Sequence, residues 1–154
     1  MTQSKTLRRW ELALLLGVAL AALLGVWLDG AQAALSDRVI RLHVLANSDS
    51  EADQALKLRV RDAVLAEAEE LFVPGAGRAE TEELLRAHLY DLAAAGAEVV
   101  GEAGYSYPVT ASLVHDYWFP TKTYTDFALP AGAYTALRIE IGAGGGQNWW
   151  CVVF

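Results

Sequence analysis

The chain has 154 residues, 12 basic and 19 acidic side chains and a formal net charge of −7, and 54% of it is apolar. That length suits one domain with a real buried core. The acidic balance argues against nucleic acid as a partner, because phosphate binding needs a basic surface. A lone Cys151 excludes a disulfide framework within the chain and a thiolate zinc cluster.

Lys5, Arg8 and Arg9 precede an uncharged apolar run over residues 12–28, which Asp29 closes. With the small-x-small triplet Ala31-Gln32-Ala33 behind it, this reads as an export signal. The export machinery and signal peptidase would take it, with cleavage between Ala33 and Ala34. As a helix the run spans about 25 Å, the lower edge of a bilayer crossing, so an uncleaved anchor is the alternative. Both readings put membrane contact at residues 12–28 and carry residue 34 onward across the membrane. The chain therefore divides into a signal peptide or membrane anchor at 1–33 and a single domain at 34–154. That domain keeps 9 basic and 17 acidic side chains, a net of −8.

Residues 39–46 (VIRLHVLA) read as a strand. Ile40, Leu42, Val44 and Ala46 share one face, and Arg41 and His43 share the other. Asn47-Ser48-Asp49-Ser50 is a run of helix-capping residues, in which Ser48 with Glu51 or Ser50 with Asp53 forms a capping pair. A helix follows over 51–72, with Leu56, Val60, Val64, Ala68 and Leu71 as its apolar stripe and Lys57 and Arg61 off it. Pro74-Gly75 and Gly77 break the chain. The spacing predicts a second helix over 81–99, with Leu85, Leu89, Leu92 and Ala95 or Gly96 inward.

Period-two alternation then predicts a strand over 107–115, an aromatic segment over 117–127 and a turn at Leu129-Pro130-Ala131-Gly132. A strand over 134–141, a glycine-rich hairpin turn at 142–146 and a final strand over 149–154 complete the chain. The expected fold class is α+β: a mainly antiparallel four-stranded sheet with two helices on one face, in the order β-α-α-β-β-β, preceded by the N-terminal signal or anchor helix.

Four features bear on chemistry. The glycines at 142–146 lack the Gly-Lys-Ser/Thr ending and following helix of a phosphate loop. Cys151 with His43, His88 or His115 allows a secreted Cys/His hydrolase as an alternative function, although Cys151 sits in an apolar strand without a nucleophile motif. The oxygen-rich stretch 47–53 lacks the central glycine and terminal Glu of a calcium loop, and helix capping explains it. The aromatic residues at 117–124, with Trp149 and Trp150, fit either a protein-binding surface or the filling of the second sheet face. Adjacent Trp side chains on a strand point to opposite faces.

The run Ile40-Arg41-Leu42-His43-Val44-Leu45-Ala46-Asn47-Ser48-Asp49-Ser50, continuing through residues 53–64, closely resembles the stage II sporulation protein R family. So do Tyr107-Pro108-Val109, Phe119-Pro120-Thr121-Lys122-Thr123-Tyr124, the segment 129–138 and Gly146-Gln147-Asn148-Trp149-Trp150-Cys151-Val152. The resemblance covers residues 38–154 in family order.

It implies an exported signalling protein of endospore formation, made in the forespore and sent across its membrane into the intermembrane space. There it would activate a membrane-embedded aspartic protease of the mother cell, which processes the pro-form of the early mother-cell sigma factor. It would be a ligand and not an enzyme, without cofactor or metal. The resemblance also implies a longer chain, shortened here at its C-terminal end, with a further Cys to pair with Cys151. Thr125 and His115-Asp116-Tyr117-Trp118 depart from the family pattern. Among family-matching positions, the expected partner-binding residues are Arg41, His43, Asn47, Asp49, Asp53, Phe119, Lys122, Tyr124, Asn148, Trp149 and Trp150.

Overall fold

The computed structural model describes residues 8–36, 38–125 and 128–153. Residues 126, 127 and 154, the ends of two predicted elements, lie outside the described residues. The chain divides into two units, Met1–Leu35 and Ser36–Phe154. In the first, helix α1 spans Arg9–Ser36, and its Arg9–Trp27 stretch is long and apolar enough to cross a membrane. The backbone of Ala33 and Ala34 continues that helix; their side chains lie outside what is described.

The second unit begins with strand β1, Ile40–Leu45, all six residues of which are buried. Helix α2, Glu51–Glu70, starts at Ser50, whose hydroxyl accepts the Asp53 amide, so the Ser50/Asp53 cap forms. Leu56, Val60, Val64 and Ala68 make the inward stripe. The predicted second helix is two helices, α3 at Arg78–Ala87 and α4 at Leu89–Glu102. His88 breaks it with φ −110° and ψ 17°, and its ring Nδ1 lies 2.9 Å from the Leu84 carbonyl oxygen. Leu85 and Leu92 stay fully buried on either side of the break.

Strands β2 (Val109–Phe119), β5 (Gly132–Ile141) and β6 (Asn148–Val152) complete a four-stranded sheet in the order β2-β5-β1-β6. The outer pairings, β2 with β5 and β1 with β6, are antiparallel; the central pair β1–β5 is parallel, so the sheet is mixed. A two-stranded ladder, β3 (Lys122–Thr123) with β4 (Ala128–Leu129), sits in the connection from β2 to β5. One face of the main sheet packs Ile40, Leu42, Val44, Leu137, Ile139 and Ile141 against α2, α3 and α4. Gly96 lets α4 approach closely: a Cβ there would lie 3.0 Å from Val109 Cγ1 and 3.1 Å from Val60 Cγ1.

Two further expectations are corrected. The break expected between residues 115 and 117 is a bulge inside one long strand β2, where register slips between Val114 and Tyr117 and Asp116 takes φ 54°. One extra residue flips side-chain parity. Val109, Ala111 and Leu113 therefore face the helices, while Tyr117 and Phe119 face the opposite side. The glycine segment at 142–146 is no hairpin turn, because β5 and β6 are not neighbours but flank β1. The segment crosses over the end of β1. It needs glycine because it runs against backbone: a Cβ on Gly146 would lie 2.6 Å from the Ser48 carbonyl carbon.

Candidate partner-binding site

Where β1 ends, the loop 47–50 locks onto the glycine crossover. Asn47 Oδ1 accepts the Ala143 amide at 3.0 Å, Asp49 accepts the Gln147 amide at 2.6 Å, and the Gly146 amide donates to the Ala46 carbonyl at 2.9 Å. Asp53, in the first turn of α2, accepts from Asn47 Nδ2 at 2.9 Å and Ser48 Oγ at 2.6 Å. The hydrogen bonds from Ser48 and then Asn47 hold its carboxyl below the usual carboxylate range. These oxygens are engaged in holding α2, β1 and the crossover together.

The sheet face away from the helices carries an aromatic box around Arg41 and His43. Arg41 is fully buried. Its guanidinium carbon lies 4.2 Å from the Phe119 ring centre and 5.1 Å from that of Tyr134. Nη1 reaches the Pro120 carbonyl at 3.5 Å and the Tyr124 hydroxyl lies beside the guanidinium, whereas Nε and Nη2 make no hydrogen bond of normal geometry. Burial lowers the pKa of Arg41 and raises those of Tyr124 and Tyr134, while the mutual Arg–Tyr attraction opposes both shifts. Cation–π attraction in a desolvated setting, about 2 kcal/mol, offsets part of the cost of burying that charge. The His43 ring lies tilted against those of Tyr117 at 4.7 Å and Trp150 at 6.3 Å. Asn148 lies near the His43 ring, yet neither ring nitrogen makes a hydrogen bond of normal geometry. Burial lowers the His43 pKa, which keeps the imidazole neutral near pH 7.

Along the outer edge of β6 lies a groove of about 570 Å³. The first half of α2 forms one wall, Gln147–Trp150 form the second, and Lys122 closes the far side. Lys57 is only 4% exposed, and its ammonium donates to Gln54 Oε1 at 2.5 Å and to the Gln147 carbonyl at 2.8 Å. The Trp149 ring lies against two cations, with Arg61 at 4.6 Å and Lys122 at 5.9 Å from its centre.

Cys151 pairs in register with Leu42 and packs against the helix-side core. His43 points to the opposite sheet face. His88 sits at the α3–α4 break, and His115 lies at the bulge, 3.4 Å from Glu82. Burial pushes the Cys151 thiol pKa up, the reverse of what a nucleophile needs. The Cys/His arrangement of a hydrolase is therefore not assembled among the described residues.

The expected partner-binding residues thus fall into two groups. Arg41, His43, Asp53 and Phe119 are buried and act as the frame. Asp49, Lys122 and Asn148 are exposed, and Asn47, Tyr124, Trp149 and Trp150 are half-buried beside them. Trp149 faces the helices and Trp150 the aromatic box, as alternation requires. Sequence reasoning missed Lys57, Gln54 and Gln147 in the groove. Lys57 lies off the apolar stripe, but it is spaced four residues from Asp53, three from Val60 and seven from Val64. That periodicity was the available signal for its burial.

The family model for stage II sporulation protein R (spore_II_R) matches residues 36–154. Stage II sporulation protein R of Bacillus subtilis (strain 168) is 38% identical over 120 residues, covering 78% of this chain and 53% of the relative. The chain thus spans about half the length of the curated relative it matches. No solved structure matches it.

Proposed function

The chain belongs to the stage II sporulation protein R family, and from that membership we propose that it is an exported signal of endospore formation. Made in the forespore, it crosses the forespore membrane and activates a membrane-embedded aspartic protease of the mother cell. That protease then processes the pro-form of the early mother-cell sigma factor. The observation that carries this reading is the extent of the match: it takes in the whole folded unit, and an apolar helix of membrane-crossing length precedes it. The mode of action is contact. Asp49, Lys122, Asn148 and the half-buried Tyr124, Trp149 and Trp150 present the surface, and the Arg41–His43 box holds it rigid. A retained α1 would tether the domain to the membrane, and a cleaved one would release it; both place the domain on the far side.

The test uses a sporulating strain that lacks its own family member and expresses this chain. Processing of the sigma-factor precursor should be restored by the parent chain and by Cys151→Ser, and lost when residues 1–33 are deleted. Normal processing by the leaderless form, retained in the compartment that made it, would refute the reading. Complete loss with Cys151→Ser at normal protein levels would favour the hydrolase instead.

A further inference from the structure

Among the described residues strand β6 ends the sheet, paired with β1 on one side only. The Val153 amide donates to the Ile40 carbonyl at 2.9 Å. In an antiparallel pair the residues that exchange hydrogen bonds alternate. Counting back from Val153, Cys151 and Trp149 turn their backbone groups toward β1. Asn148, Trp150 and Val152 then turn theirs outward, which leaves three N–H and three C=O groups along the free edge. Such an edge is a template for another strand.

The groove described above runs beside this edge, with room for side chains on the α2 side and on the Lys122 side. Its charge is unlike that of the rest of the domain. Lys57 and Lys122 line it against a single carboxylate, Glu51, in a domain that is otherwise acidic. The Lys57 ammonium is nearly buried and bonds only to neutral oxygens. Among the described residues it has no ion-pair partner within 4 Å; Asp49 attracts it from farther off, and burial outweighs that attraction. A second copy of the chain, paired edge to edge, would bring its own Lys57 and Lys122 toward the same groove, which like-charge repulsion disfavours.

We propose that this edge and groove take an extended acidic segment of the partner, which adds to β6 as a fifth strand and sets a carboxylate against Lys57 and Lys122. Main-chain hydrogen bonds to Asn148, Trp150 and Val152 supply affinity, and the two lysines select an acidic sequence. The proposal rests on the preceding reading that the domain acts by binding the protease, and it names the mode of that binding.

The experiment uses the full chain in detergent with the protease's extracytoplasmic segment as the probe. Amide hydrogen exchange is measured residue by residue, free and bound. On binding, the Asn148 and Trp150 amides should slow by about tenfold or more. The Trp149 and Cys151 amides, already bonded to β1, should change little. Lys122→Glu should weaken binding about fivefold and Lys122→Arg should restore it, the range expected for a rim charge. A complex that forms with Asn148 and Trp150 exchanging as in the free chain overturns the strand-addition mode and leaves the signalling reading intact. So does Lys122→Glu binding as tightly as the parent. Protection of those amides in the free chain that grows with its concentration assigns the edge to a second copy and overturns the proposal. Absence of any complex defeats both readings together.

Discussion

Gly146 and Gly101 should respond to the same substitution with opposite signs. At Gly146 an added Cβ would press on the Ser48 carbonyl, 2.6 Å from its carbon and 3.0 Å from Ala46 Cβ. Backbone cannot rotate away as a side chain tip can, so the crossover must lift from the end of β1. Overpacking of this kind costs about 1–3 kcal/mol. Lengthening the Gly146–Ala46 hydrogen bond, now 2.9 Å, adds about 0.5–1.5 kcal/mol. Gly146→Ala should therefore destabilise by about 2–4 kcal/mol. For a domain of this size that lowers Tm by roughly 10 °C. Gly101 lies in the last turn of α4, exposed, and a Cβ added there would meet no atom within 4 Å. Gly101→Ala should stabilise by about 0.5–1 kcal/mol through helix propensity alone. The assay is urea unfolding of the segment from Ser36 onward, which holds the whole buried core, followed by tryptophan fluorescence. Trp149 and Trp150 lie immediately after the crossover and report on it. If Gly146→Ala unfolds within about 0.5 kcal/mol of the parent, the reading of the crossover as a backbone-on-backbone contact is wrong.

The aromatic box yields two further expectations. Its His43 has a pKa held below the ordinary 6.5 by burial, so the unfolded chain binds a proton that the folded one refuses. Stability should be full above about pH 6.5 and fall as pH drops from there toward the folded value; His43→Gln should flatten that slope in denaturant titrations at several pH values, and an unchanged slope would remove His43 as its source. Arg41→Met keeps most of the volume and removes a buried cation that its aromatic and carbonyl contacts compensate only in part, so stability should stay within about 1 kcal/mol of the parent, whereas Arg41→Ala empties the space under Phe119 and Tyr134 and should cost about 2–4 kcal/mol. Equal losses for Met and Ala would mean that the charge itself stabilises the box.

Burying Arg41 and His43 also explains why the groove edge is held in place. Both side chains lie under the connection that carries Pro120 and Lys122, through the Pro120 carbonyl and the Phe119 ring. Trp150 joins the same box from β6. The loop bearing Lys122 and the strand bearing Asn148 are thereby anchored to one rigid cluster, so the two sides of the groove keep their separation. A preorganised surface of this kind lowers the ordering cost of binding.

Much of the fold was legible in local pattern. The alternation of Ile40, Leu42 and Val44 against Arg41 and His43 named both faces of β1, and the stripe from Leu56 to Ala68 named the buried side of α2. Ser50 and Asp53 marked where that helix begins. The candidate groove was legible in part: Lys122, Asn148, Trp149 and Trp150 were singled out and line it, but Lys57 was not. Its burial depends on the Gln147 carbonyl, ninety residues away in the chain.

What the amino-acid order determined by itself was whatever a few neighbouring residues can encode: the apolar N-terminal helix, the helix stripes, the strand alternation and the caps. Tertiary structure alone decided that β1 lies between β5 and β6, that one residue at Asp116 turns Tyr117 and Phe119 to the far face, and that the glycines at 142–146 cross a strand end. These are questions of register and neighbour choice. Their free energies come from contacts between distant segments, and no short window of sequence contains both partners.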